Sequence, residues 1–124
     1  MRFKLLDMMR YNKLLAGASW QGEYGNPDEP SMREVILKYS PYHNLSADKK
    51  YPKVFFVTST ADDRVHPGHA RKMAAKMESF KHPFLYFENI EGGHGASANL
   101  EQAIQRTSLE YVYLYQQLIK PLTY

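Results

Sequence analysis

Val54-Phe-Phe-Val-Thr58, followed at once by Ser59-Thr-Ala-Asp62-Asp-Arg64-Val65-His-Pro67, is the stretch on which the fold turns. The first five residues are continuously apolar, β-branched or aromatic. A run of that length with no polar alternation predicts a strand buried on both faces, as in a parallel sheet. The polar residues from Thr60 to Arg64 then read as the loop leaving the carboxyl end of that strand. Pro67 suits the opening of a helix, because its fixed φ is already helical and its missing N–H would have no partner there.

Downstream, Ala70, Met73, Ala74, Met77 and Phe80 fall on one side of the predicted helix. Pro83-Phe-Leu-Tyr-Phe87 predicts a second short strand, and Glu91-Gly-Gly-His94-Gly95 a tight loop after it. Asn99 is placed to cap a long final helix from Leu100 to about Lys120, ended by Pro121. Upstream, Phe3 to Ala18 is helix-compatible, and Ala18 to Gly25 reads as irregular chain. Asn26-Pro-Asp-Glu-Pro30 is a turn signal. Ser31 with Glu34 has capping-box spacing, for a helix that runs to about Tyr39 and stops before Pro41. Strands alternating with helices imply an α/β fold with a parallel sheet. Two strands alone leave both outer edges unpaired, so the sheet is expected to be incomplete.

The chain has 124 residues, 44% hydrophobic and 23% charged, which suits one domain rather than two and excludes disorder along its whole length. Ten tyrosines suit a groove or interface as well as a core. The net charge of +3 is spread out, and the basic stretch Arg71 to Lys81 is interrupted at helical spacing. That describes a solvated helix face, so no nucleic-acid partner is expected. There is no cysteine, which excludes disulfides, thiolate chemistry and cysteine-based zinc sites. Met1 to Arg10 has no uninterrupted apolar core of a signal peptide, and no apolar run reaches membrane-spanning length. The expectation is a cytoplasmic location, or a periplasmic one if the full-length protein carries a signal peptide.

In open α/β sheets, functional residues gather on loops at the carboxyl ends of strands. Asp62 and His94 occupy two such loops. A histidine can take and return a proton near neutral pH, and a carboxylate on one ring nitrogen fixes its tautomer and stabilises the imidazolium. Glycines around His94 would let the backbone turn sharply. Spacing alone leaves two readings open: an acid and base, or a helix-capping aspartate and a simple turn. The order acid then base matches the last two members of an α/β-hydrolase triad. The nucleophile elbow Gly-x-Ser-x-Gly does not occur in the 124 residues; Gly17-Ala-Ser19-Trp-Gln and Gly95-Ala-Ser97-Ala-Asn both lack the closing glycine. His66 and His69 share helical spacing, but two ligands do not make a metal site, and exposed histidines are expected instead.

Asp7-Met-Met-Arg-Tyr11, Gly17-Ala-Ser-Trp-Gln-Gly-Glu-Tyr-Gly25, Tyr39-Ser-Pro-Tyr-His-Asn44, Asp62-Asp-Arg-Val65 and Gly92-Gly-His-Gly95 occur in that order. Together they resemble the C-terminal part of the peptidase domain of the prolyl oligopeptidase family of serine peptidases. The resemblance covers nearly the whole chain. It implies a partial α/β-hydrolase fold, one unit over residues 1–124, with the nucleophile region and the propeller domain outside it. It implies that Asp62 is the triad acid and His94 the base, and that Arg64 binds substrate carbonyls. It implies that Trp20, Tyr24 and Val65 line the pocket for the residue before the scissile bond, with a proline ring stacked on the indole. The blander alternatives are a core role for Trp20 and a surface ion pair of Arg64 with Asp63 or Glu91.

Three functions follow from this reading. One is a catalytic-domain fragment, inactive alone for lack of its serine, that hydrolyses peptides after proline when completed. Another is a non-catalytic module that self-associates through Val54 to Thr58 or Arg2 to Leu6, or binds a partner. The third is an esterase-like remnant, against which Trp20 and Arg64 argue. Peptide substrate, the missing N-terminal half and another copy of the chain are the expected partners. No cofactor is expected.

Overall fold

The computed structural model describes residues 4–90 and 100–119. Two strands, β1 (Val54–Ser59) and β2 (Phe84–Asn89), pair in parallel, with Val54 opposite Phe84 and Ser59 opposite Asn89. Helix α4 (Gly68–Ser79) forms the crossover between them. Five of the six β1 residues are buried, as the unbroken apolar run predicts. β2 extends two residues beyond the expected Phe87, because ladder pairing with Thr58 and Ser59 carries it on. Ahead of the sheet lie short 3₁₀ turns at Tyr11–Lys13 and Leu15–Trp20, then α1 (Gln21–Tyr24), α2 (Pro30–Tyr39) and α3 (Pro41–Asn44). Helix α5 (Leu100–Leu118) closes the described chain.

α4 supplies Ala70, Met73, Ala74 and Met77 to a core shared with Leu6, Leu45 and Phe56. Its position follows from those four side chains, which repeat at helical spacing and need an apolar surface. A second, smaller core joins Met8, Tyr11 and Ile36, with Leu5, Met9 and Trp20 packed against it.

The N-terminal region departs from the expected helix over Phe3 to Ala18. Residues 4–7 are free of helical structure, and tertiary partners satisfy the backbone there. The Asp7 N–H donates to His69 Nδ1 at 3.2 Å and the Met8 N–H to Ser40 Oγ at 3.1 Å, while the Leu6 carbonyl accepts from the Tyr42 N–H at 2.8 Å. Backbone groups captured this way have no need of a helical ladder. Further on, Leu15 takes a left-handed φ of 49°. A Cβ on Gly17 would sit 1.7 Å from the Tyr11 carbonyl oxygen, so the chain crosses itself where only glycine fits. The segment 18–25, expected to be irregular, instead carries the end of the second 3₁₀ turn and α1.

Ser31 does not cap α2. Pro30 occupies the first helical position after Glu29, and the Arg33 N–H reaches the Glu29 carbonyl at 2.8 Å. Proline suits that position better than a capping serine one residue later, which therefore lies inside the helix. The expected stop before Pro41 is observed, and Pro41 opens α3, a turn absent from the sequence reading. The Glu91 to Gly95 loop, the Asn99 cap and the Pro121 stop lie outside the described residues.

Candidate active site

β1 ends at Ser59, and the chain turns immediately: the Thr60 N–H donates to the Asn89 carbonyl at 2.9 Å and the Asp62 N–H to the Ser59 carbonyl at 3.3 Å. Asp62 is buried, with 4% of its surface exposed. One of its carboxylate oxygens, Oδ1, accepts the backbone N–H groups of Arg64 and Val65, each at 2.9 Å. Aspartate folds back on its own backbone readily at such a position, and this makes a rigid loop from a polar sequence. The acid predicted from sequence is thus held at a strand end. His94, its expected partner, lies outside the described residues, as does the expected contact between them.

The same two N–H groups belong to the residues that open a pocket. A cavity of about 490 Å³ is walled by Trp20, Tyr24, Arg64 and Val65 together with Lys4, Leu5, Met8, Tyr39 and Pro41. Four side chains separated by up to 45 positions, all singled out from sequence, therefore share one concavity. Trp20 is half-buried and serves two ends at once, since it also packs against the Met8–Tyr11–Ile36 core. The core role and the pocket role of the indole are not alternatives. Arg64 is exposed, and its side chain makes no hydrogen bond or ion pair with another described residue, so the alternative pairing with Asp63 is not formed; Glu91 lies outside the described residues. Its guanidinium carries forked donors of the kind that suit a carbonyl or carboxylate.

Tyrosines fix the far wall. The Tyr11 ring, fully buried, meets Tyr24 edge to face with centroids 5.9 Å apart, and its hydroxyl donates to the Gly25 carbonyl. Gly25 has φ of 85°, which a side chain would resist. The Tyr39 hydroxyl donates to the Tyr24 carbonyl at 3.1 Å. Both contacts hold Tyr24 at the pocket. Leu5, Met8, Tyr39 and Pro41 were not named as pocket residues from sequence, although each lies in or beside a motif quoted there. The missing signal was spatial: nothing in the chain order says that residues 5–8 return beside residues 20–24.

Beneath the site a polar cluster is enclosed. Asp7, 2% exposed, pairs with Lys72 of α4 and accepts the Met9 N–H at 3.2 Å. His69, expected to be exposed, is instead 2% exposed. It accepts from the Asp7 N–H, so its proton sits on the other ring nitrogen. Burial pushes the imidazole pKa down to about 4, the Asp7 carboxylate opposing and His66 and Lys72 adding to the fall. The ring thus serves as the hydrogen-bond acceptor of the Asp7 backbone N–H. Among the described residues no group of three or more His, Asp or Glu side chains is arranged to hold a metal. No helix among them is long and apolar enough to cross a membrane.

Comparison with known proteins matches residues 3–120 to the model of the prolyl oligopeptidase family. The chain is 55% identical over 115 residues to the uncharacterized peptidase y4nA of Sinorhizobium fredii, covering 93% of this chain and 16% of that protein. It is 40% identical over 123 residues to the prolyl endopeptidase of Elizabethkingia meningoseptica, covering 95% of this chain and 17% of the relative. The solved structure of a post-proline cleaving enzyme from Rickettsia typhi superposes with a TM-score of 0.91 at 33% identity, over 97% of this chain and 18% of that one. The chain thus spans about a sixth of the length of the curated relatives it matches. The two parallel strands and their helices are a part of the α/β-hydrolase fold of those enzymes.

Proposed function

The chain belongs to the prolyl oligopeptidase family of peptidases, and on that footing we propose that it contributes the acid, the base and the specificity pocket of a serine peptidase that cleaves after proline. Asp62 orients and stabilises His94, which takes the proton of a serine outside these 124 residues and returns it to the leaving amine. Trp20 offers its flat face to a proline ring, with Tyr24 and Val65 closing the pocket, and Arg64 binds a substrate carbonyl through its forked donors. The single observation that carries this reading is the link between acid and pocket. The Asp62 carboxylate accepts from the backbone of Arg64 and Val65, and both line the cavity that also holds Trp20 and Tyr24. One loop thus supports both proposed roles, acid and recognition wall. A chain without cysteine accords with a cytoplasmic location, or a periplasmic one if the full-length protein carries a signal peptide.

With no Gly-x-Ser-x-Gly elbow in its sequence, the chain by itself is inactive. The test is labelling by an active-site-directed fluorophosphonate. The chain alone stays unlabelled. Mixed with a separately expressed serine-bearing segment of the 55%-identical relative, the assembly is labelled at that serine, and Asp62→Asn lowers the labelling rate by about 10³–10⁴-fold. Trp20→Ala raises KM for a proline substrate more than for an alanine one. Labelling of the isolated chain, or none in a folded assembly, overturns the reading.

A second reading is self-association, expected from sequence through Val54 to Thr58 or Arg2 to Leu6, to which α5 adds a different exposed apolar surface. Leu100, Ile104, Tyr111, Tyr115 and Leu118 are each more than half exposed. On this reading the chain covers that surface by pairing with another copy of itself. Sedimentation of the isolated chain distinguishes the two: a concentration-dependent dimer supports self-association, and an ordered monomer removes it.

A further inference from the structure

The loop that carries Asp62 is tied to the rest of the molecule by a carboxylate that no triad or pocket role uses. Glu88 lies on β2, opposite Thr58 in the ladder. Its Oε1 accepts the Thr60 hydroxyl at 2.5 Å and an Arg71 Nη2–H. Its Oε2 accepts Arg71 Nε–H at 3.1 Å and the Tyr86 hydroxyl at 2.6 Å. One side chain thus gathers the loop after β1, the first half of α4 and β2 itself. Its exposure is 16%, against 50% for Arg71. An exposed Arg–Glu pair contributes little by itself. Four donors from three elements on one shielded carboxylate are a different arrangement, in which the members strengthen one another. The donors hold the carboxyl pKa down at about 2, first through the Arg71 hydrogen bonds and then through Thr60 and Tyr86, against the opposing effect of burial. The group is charged at neutral pH.

We propose that Glu88 is a positioning residue: through Thr60 it fixes the height and tilt of the loop that presents Asp62. The inference rests on the triad reading above. Thr60 stands two positions before Asp62, in a loop that also carries the Thr60 and Asp62 backbone contacts and the two N–H bonds to Asp62 Oδ1. Without the hydroxyl link the loop keeps its hydrogen bond to Asn89 but gains freedom to tilt. Small displacements of a group that must meet another are costly in catalysis.

The test follows the ring titrations of the histidines in the 124-residue chain by NMR. Asp62→Asn removes an anion and lowers the His94 pKa by about one unit. Thr60→Val changes no charge, and is expected to lower the His94 pKa in the same direction by roughly half a unit. Thr60→Ser, which keeps the hydroxyl, restores the original value. Glu88→Gln moves His94 the same way, and adding Thr60→Val to it brings no further change, since both break one link. The ring signals of His43 and His82, which contact Ser40 and the Ser46 carbonyl, keep their positions at fixed pH in every variant and report the rest of the fold. If Asp62→Asn shifts His94 and Thr60→Val does not, the positioning role of Glu88 falls and the triad stands. If Thr60→Val moves His43 and His82 as much as His94, the link is merely structural and the proposal falls. If Asp62→Asn leaves His94 unmoved, the triad reading fails and the proposal fails with it.

Discussion

α4 and α5 are both amphipathic and lie in sequence on either side of β2, yet they have opposite fates. α4 buries His69, Ala70, Met73, Ala74 and Met77 in twelve residues. α5 buries none in nineteen. The difference is not one of composition, since α5 is the richer in large apolar side chains: Leu100, Ile104, Leu109, Tyr111, Val112, Leu114, Tyr115 and Leu118. It lies in what each finds to pack on. α4 meets β1, the extended segment around Leu6 and the α3 region, all within the chain. α5 reaches Phe55 through the Tyr113 ring, at a centroid distance of 5.4 Å, and its Gln102 accepts from the Asn89 amide, while much of its apolar surface faces outward. A hydrophobic stripe specifies that a helix needs a partner and does not supply one.

The contrast breaks most readily at the helix cores. Met77→Ala, at a position 1% exposed, should destabilise the chain by about 2–5 kcal/mol, while Leu118→Ala, at 75% exposed, should change stability by less than about 0.5 kcal/mol. Urea unfolding of the two variants measures it. Equal losses would mean that α5 is packed in solution in a way the described contacts do not include.

A smaller effect concerns the polar cluster on which α4 sits. His69 has a folded pKa of about 4, below the unfolded value near 6.5. The unfolded chain therefore binds more protons between those values. The stabilisation is complete above pH 6.5, falls as pH drops from 6.5 to 4, and levels below that; the loss should be on the order of 3 kcal/mol. Glu88, depressed to about 2, adds its own loss only from about pH 4.5 downward. Denaturant midpoints measured across pH 4–7 should slope in the original chain and flatten in His69→Gln. A flat profile in the original chain would show that His69 is not enclosed.

The smallest expected effect sits on α5. The Tyr113 hydroxyl donates to the Lys53 carbonyl at 2.6 Å, ahead of β1. Tyr113→Phe should cost about 1 kcal/mol. A cost near zero would mean that this end of α5 is held by its ring alone, and that the two helices differ still more than the burial pattern shows.

Legibility in the sequence followed the same division. The unbroken Val54 to Thr58 run, the apolar face of α4 and the Pro67 start were readable because each depends on neighbours along the chain. Asp62 was readable as a loop acid because strand, turn and aspartate are consecutive. The stretch read as helix-compatible, Phe3 to Ala18, misled for the opposite reason. Its residues have helical propensity, but Asp7, Met8 and Leu6 give their backbone groups to His69, Ser40 and Tyr42, between 32 and 62 positions away in the two cases where a side chain accepts. His69 was misjudged with it, since its burial depends on the return of Asp7.

By itself the sequence determined which segments become strand or crossover helix, that a carboxylate stands at a strand end, and that the five motifs of a prolyl oligopeptidase occur in order. Those features are local, or they are inherited as chain order. Only the tertiary structure decided that Trp20, Tyr24, Arg64 and Val65 share one pocket, that the loop carrying Asp62 bonds Glu88 through Thr60, and that α4 has a buried face while α5 buries no residue. Those outcomes depend on which distant groups satisfy a backbone N–H or an apolar face, and periodicity along one chain carries no information about such partners.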